Sequence, residues 1–397
     1  MSKLRIIQKI FFLIVVFTIL SCDQAPLFYK ISLEPEPLIP FVQGTPSRMV
    51  VVGNTLYVGT MHKANVFTFR ANTWGAMNTP SGVLLGMASD HDDYNEAKHP
   101  FALIMRHNNI NDTDLFRRNA TNWTQVANHT GYSIETVYGA GGIVFAGARS
   151  DTSYAVLILE NPDASSMSFS ILAAGTSLLS GAATDVDGNI YLATRSSGII
   201  RFDSPFDFSN SAAVSSAFSS PFFPHQENNT LLGITRSGDT IIAAGTNAGF
   251  SNNAGSYFVM AQNPDSLPPN DRFSRHDEGL FFTGALGVQF SSTTPERLLL
   301  GVQNRGTSSN QGYRHLPLDA NGRPTGPLYD PAQNEPRIRA SIGLRPVHDI
   351  MQVPAQVMAP VPWSGRVIFA ATSRDGLWSY RGGEWNAETM QPGDRGN

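Results

Sequence analysis

One pattern recurs along the chain and constrains its fold more than any other feature. An apolar, β-branched run closes on Gly or Ala and then Thr or another small residue, and a turn leads from it to a second run with alternating aromatics. Clear copies begin at Val51–Thr60 (VVGNTLYVGT), Gly142–Ala148 (GIVFAGA), Asp185–Thr194 (DVDGNIYLAT), Thr240–Thr246 (TIIAAGT) and Val367–Thr372 (VIFAAT). Weaker copies are Phe101–Met105, which leads to Leu115, Phe116 and Trp123, and Arg297–Val302, which leads to Gly312–Leu318. Anchor positions at or one residue before the ends of the runs, 60, 105, 147, 194, 245, 301 and 372, give intervals of 45, 42, 47, 51, 56 and 71 residues. A unit of that size cannot bury both faces of its strands alone and must stack on its neighbours.

These intervals sit at or a little above the ~40–50 residues of a four-stranded blade. The expectation is an all-β chain folded as a seven-bladed β-propeller. The recurring run is almost continuously apolar because adjacent blades cover an inner strand on both faces, whereas outer strands alternate, as in Arg381–Trp385 (RGGEW). Composition agrees: 35 Gly and 25 Pro break up long helices, and 15% charged residues exclude a highly charged disordered chain. Asp187-Gly188-Asn189 and the stretch from Asp319 to Gly322 supply left-handed residues for tight turns. A pair of sandwiches is the competing architecture, and seven repeats of one spacing fit it poorly. Six or eight blades result if residues 76–130 or 303–346 are parsed differently. DVDGNIYLAT and TSRDGLWSY resemble the strand-turn-strand cores of regulator-type and NHL-like bacterial β-propellers, over about residues 46–386. That resemblance implies the fold and leaves the activity open, because the motif residues are structural.

The N-terminus reads as an address. Lys3, Arg5 and Lys9 precede an apolar stretch of 11 residues, Ile10–Leu20, which is too short to span a bilayer. With Ser21 and Cys22 it resembles a bacterial lipoprotein signal. The segment Ile19-Leu20-Ser21-Cys22 stands in the lipobox position, with Ile19 where Leu is usual. The resemblance implies removal of residues 1–21, acylation of Cys22, and a protein held on a membrane of the bacterial envelope; the choice of membrane and leaflet stays open. Cys22 is the one cysteine of the chain, so no disulfide is expected. Residues 22–45 form a Pro-rich tether, and residues 46–397 the propeller. Loss of residues 1–21 takes the net charge from -4 to -7, which gives no basic field for nucleic acid.

Candidate site residues follow from the repeat. The second strand of each blade runs toward the face that carries the loops between blades, so residues just beyond it form a ring there. They are Arg106, Arg149, Arg195, Arg305 and Arg374, with His62 and Asn247 in the other two blades. Five arginines on a mildly acidic chain read as a rim for a carboxylate, phosphate or acidic glycan; the alternative is that Arg stems cover apolar strand ends. The Asn-, Ser- and Gly-rich loops 106–113, 247–255 and 304–311 emerge on the same face.

Asp90, His91, Asp92, Asp93, Glu96 and His99 form the densest group of potential metal ligands, but their spacing fits neither a calcium loop nor a zinc helix. His276-Asp277-Glu278 and His348-Asp349 are weaker groups of the same kind. No nucleophile elbow, phosphate loop or dinucleotide fingerprint is in place, so neither a metal nor a cofactor is expected. Ser373-Arg374-Asp375-Gly376 with Trp378 resembles a shortened Asp-box of sialidase propellers. Binding of a protein, glycan or anionic ligand is the leading expectation. A sialidase-like or other glycan-acting hydrolase at the Arg face is the enzyme alternative. An assembly scaffold is the third, and it calls for an exposed apolar patch in the Phe-rich stretch ending at Phe222 and Phe223.

Overall fold

A computed structural model describes residues 39–390 except 43, 62–65, 94, 108, 110, 226–228, 248–254, 279, 292–293, 304–311, 330–345, 355–356, 358–366, 373–375 and 382–383. Residues 40–388 form one unit, and it holds seven antiparallel sheets. In the other unit, residues 1–39 with 389–397, the described residues Ile39, Thr389 and Met390 are extended.

The seven sheets are consecutive along the chain, and six of them have four described strands. The first strands are Pro46–Val52, Val83–Ser89, Ser133–Ala140, Leu179–Thr184, Asn229–Ser237, Phe281–Ser291 and Val347–Val353. Each touches the first strand of the next sheet, and the seventh touches the first, so the sheets close into a seven-bladed propeller with these strands around the axis. The second strands coincide with the sequence repeat: Thr55–Thr60, Pro100–Met105, Ile143–Arg149, Ile190–Thr194, Thr240–Asn247, Thr294–Gln303 and Val367–Thr372. Burial from both sides explains their composition; every residue of Ile190–Thr194 and Val367–Thr372 is buried. The sixth blade shows three strands, with Tyr329 bridging to His315 where a fourth would lie.

Two local devices recur among the blades. All seven first strands slip register near their start, between Pro46 and Arg48, Leu84 and Gly86, Ile134 and Thr136, Leu179 and Gly181, Leu231 and Gly233, Phe282 and Leu286, and Val347 and Asp349. Such a bulge bends the strand and re-aims the next side chain. The backbones then approach so closely that a Cβ at Gly233 would lie 2.4 Å from the Gly284 carbonyl oxygen. The second device is the Thr that ends the repeat. Thr194 Oγ1 donates to the Gly198 carbonyl (3.0 Å) and accepts from the Ser197 N–H (3.1 Å), while Thr372 Oγ1 donates to the Gly376 carbonyl (2.8 Å). Gly198 and Gly376 take φ of 93° and 79°, which side chains resist.

Two further regions complete the ring. The Phe-rich stretch is not a patch: helix α1 (Ser211–Ser219), capped by the Asn210 side chain, packs against the outer strands of the third and fourth blades. Phe206, Phe208 and Phe218 pack around Phe202, and Phe222 and Phe223 are 5% and 2% exposed, which corrects the expectation of an apolar docking surface. Apolar area at this density is worth more buried against the blade edge than in water. The seventh blade meets the first through Glu388, which accepts from the Trp74 Nε1–H (2.8 Å), the Arg381 guanidinium (2.6 Å) and the Ser379 hydroxyl.

Candidate functional site

Of the three rim arginines among the described residues, Arg106, Arg149 and Arg195, two are already engaged. Arg106, just beyond Pro100–Met105, pairs with Asp114 at 2.8 Å and lies 5.2 Å from the Phe116 ring centre. Arg149, the last residue of its strand, pairs with Glu135 at 3.4 Å. Arg195 is exposed, and its side chain makes no ion pair among the described residues. Its backbone links the fourth and fifth blades, donating to the Leu178 carbonyl (2.9 Å) and accepting from the Leu231 N–H (3.2 Å). Asn247 ends the strand Thr240–Asn247, and its side chain, with His62, Arg305, Arg374 and Cys22, lies outside the described residues.

A second group, inside the ring, is more completely built. The acid-rich segment after Val83–Ser89 does not turn back on its own blade. Asp90, 1% exposed, accepts the Lys98 and His99 N–H groups at 2.9 and 3.1 Å and so pins the base of a long loop. Asp93 caps a single turn, accepting from the Asn95 N–H (2.9 Å), and reaches Arg236 on the first strand of the fifth blade at 3.3 Å. Asp92 accepts the N–H of Thr184, on the first strand of the fourth blade, at 2.6 Å. His91 pairs with Glu96 at 3.2 Å, and His99 with Asp163 at 2.7 Å. A loop from the second blade is thereby fastened to first strands two and three blades away, across the axis.

This loop floors a cavity of about 220 Å³ between the first strands of blades 1, 2, 3, 4 and 7. Most of its wall is apolar, with Val51, Met87, Val137 and Met351 among the lining residues. The polar exceptions are informative. Arg48 and Asp349 occupy equivalent places, each the first paired residue after its strand's bulge. The Asp349 carboxylate accepts the Met49 and Ile350 N–H groups at 2.7 and 3.1 Å. Burial pushes its carboxyl above the ordinary aspartate range, against the pull of Arg48 and those two bonds. Arg48 Nη1 stays 4.0 Å from Asp349, beyond hydrogen-bond length, and the guanidinium carbon lies 5.9 Å from the Tyr138 ring centre. The Arg48 side chain is 35% exposed although it springs from an inner strand, because the space it faces is the cavity. Burial, and after it the Arg48 charge, hold the neighbouring His348 below the usual imidazole range. Burial likewise raises the Asp92 carboxyl.

Of the sequence candidates, the structure brings His91, Asp92 and Asp349 to one cavity and leaves Arg106, Arg149 and Arg195 separate from it. The acid-rich segment serves as a strut, and among the described residues no group of three or more Asp, Glu or His converges on one point. His276 stacks on Tyr257 at 4.7 Å, while Asp277 is held by Ser256 and Arg275 at 2.7 and 2.6 Å. Sequence reasoning missed Arg48. Its signal was present in PSRMVVV and VHDIMQV, two apolar inner strands interrupted at the same place by charges of opposite sign.

No protein-family model matches the chain, and no curated protein does. Solved structures share the architecture. An ancestral GH74 enzyme superposes with a TM-score of 0.56 at 14% identity, over 90% of this chain and 48% of its own, so this chain spans about half of that enzyme. YCF48 from Cyanidioschyzon merolae superposes with a TM-score of 0.50 at 11% identity, over 87% of this chain and 97% of its own. The WD40 β-propeller domain of Doa1 gives 0.49 at 12% identity, over 86% and 96%. At such identities the likeness is one of fold, and propellers carry both binding and catalysis.

Proposed function

We propose that this protein is a non-catalytic binding propeller, lipid-anchored at Cys22 to a membrane of the bacterial envelope, that holds its ligand in the axial cavity. The observation that carries this reading is the floor. A chain that only needed a stable ring would keep its hairpins short, whereas here a ten-residue loop, 90–99, is fastened across the axis and encloses a cavity lined by Arg48. The carboxylates around it support binding over hydrolysis. Asp90 and Asp349 each hold two backbone N–H groups and Asp93 holds Arg236, so among the described residues Asp92 has no second free acid beside it to make the pair that glycoside cleavage requires. The scaffold reading loses its support with Phe222 and Phe223 buried. The rim, with Arg106 and Arg149 already neutralised, is a secondary contact surface for a protein or glycan.

The test is a thermal-shift screen of small polar metabolites against the soluble chain beginning at Asp23, followed by calorimetry on the hits. A hit whose binding is lost when Ala182, a lining residue, becomes Met places the ligand in the cavity. Hits indifferent to Ala182→Met but lost in Arg149→Ala/Arg195→Ala would move the site to the rim. For the anchor, labelled palmitate should enter the full chain and not Cys22→Ser.

A further inference from the structure

The charges of the cavity are arranged with two signs. Arg48 enters from the first blade, and Asp349, at 4.0 Å, takes none of its five donors at hydrogen-bond length. Asp92 belongs to the floor and lines the same cavity; its surface is open to that space, while the protein packed around it reduces the solvation of the carboxylate. The bonds to its carboxylate come from Thr184 and from its own backbone, and it forms no ion pair among the described residues, so it keeps acceptor capacity for a ligand cation. Asp349 differs, being 9% exposed and held by two N–H groups. Val51, Met87, Val137 and Met351 supply the apolar part of the wall, beside Ser89, Tyr138 and Gln352. A volume of about 220 Å³ is smaller than the ~300 Å³ at which pockets for drug-sized ligands begin.

We propose that the cavity takes a small bipolar molecule, its carboxylate on Arg48 and its ammonium on Asp92, of the size of an amino acid or dipeptide. The assignment rests on the reading of the axial cavity as the binding site. A neutral sugar or a simple amine would leave Arg48 with only Asp349, at 4.0 Å, and the Tyr138 side chain beside it, and a neutral sugar or a simple carboxylate would leave Asp92 without a cation. Only a ligand with both charges satisfies the two ends, and the apolar wall accommodates its methylene or side-chain carbons. Arg suits the carboxylate end because its planar fork can bind both oxygens.

Calorimetry on the soluble chain tests this with four ligand sets of matched length: ω-amino acids and dipeptides, their N-acetylated forms, unsubstituted monocarboxylates with the corresponding amines, and neutral monosaccharides. The variants are Ala182→Met, Arg48→Gln and Asp92→Asn, the last keeping an oxygen for the Thr184 N–H. The expected result is saturable binding of the zwitterions alone, abolished in Ala182→Met and weakened more than about tenfold in Arg48→Gln, each good ion pair being of that order. Asp92→Asn should erase the preference for the free ammonium over its N-acetylated form. Sugars or monocarboxylates that bind as tightly as zwitterions and are lost in Ala182→Met would overturn the bipolar assignment and keep the cavity as the site. If no compound of any set is sensitive to Ala182→Met, the cavity reading falls with it.

Discussion

The loops that follow the first strands of the second and fourth blades begin from the same chemistry and do different work. In the fourth blade, Asp185 accepts from the Asp187 and Asn189 N–H groups (3.0 and 2.9 Å), the Asn189 amide (2.8 Å) and the Tyr191 hydroxyl (3.0 Å), and the hairpin closes on itself. In the second blade, Asp90 makes the equivalent start with the Lys98 and His99 N–H groups, but the intervening residues carry two more aspartates to distant strands. A short loop uses its acid to hold its own turn. A long one leaves acids over, and they hold something else. The difference separates residues kept for stability from residues kept for the cavity.

The largest effect should come from the short loop. Asp185→Ala removes four hydrogen bonds, one of them from the hydroxyl of Tyr191, which is 1% exposed, so it should cost about 2–4 kcal/mol in chemical denaturation. Replacing residues 91–97 by a short Asn-Gly turn leaves the blade's ladder intact; the folding free energy should change by less than that, while binding of any cavity ligand weakens at least about tenfold, ~1.4 kcal/mol, in calorimetry. Arg236→Ala breaks a pair whose side chains are 34% and 30% exposed, and should cost no more than about 1 kcal/mol. Asp92→Asn should have the smallest effect on folding, and of opposite sign. Burial raises the Asp92 carboxyl in the folded chain, so its charged form is a penalty at neutral pH; the Asn variant should be equal to wild type or more stable by under about 1 kcal/mol at pH 7. Because the folded carboxyl sits above its unfolded value of 3.8, that advantage should close as pH falls through the raised value toward 3.8. A gap that widened on acidification would show that Asp92 stabilises the fold, as Asp185 does.

The fold was legible because the strand that carries the strongest signal is covered on both sides in every blade. Val367–Thr372 is buried at each position and apolar up to its closing Thr, and the pattern recurs at blade spacing, so the seven second strands could be placed from sequence. The site was less legible, for two reasons. The bulges alter which face a side chain presents, and Arg48 in PSRMVVV lies just past one, so a simple alternation misplaces it. The partners of Asp92 and Asp93 are 92 and 143 residues away in the chain, a separation no local pattern encodes. The rim arginines were placed by the repeat, but their acids, Asp114 and Glu135, lie on neighbouring strands of the same blade and neutralise them. The Phe-rich stretch shows the same limit: its composition fits a docking patch as well as a helix laid on a blade, and only packing decides.

Hydrogen exchange at the Thr184 amide, read at residue resolution by mass spectrometry in wild type and Asp92→Ala, tests the axial crossing most directly. The N–H donates to Asp92 at 2.6 Å, so exchange should be slow in wild type and at least about tenfold faster in the variant, with the Leu192 and Ala193 amides unchanged. Equal exchange in the two proteins would mean that the second-blade loop does not reach the fourth blade, and that the axis is not floored.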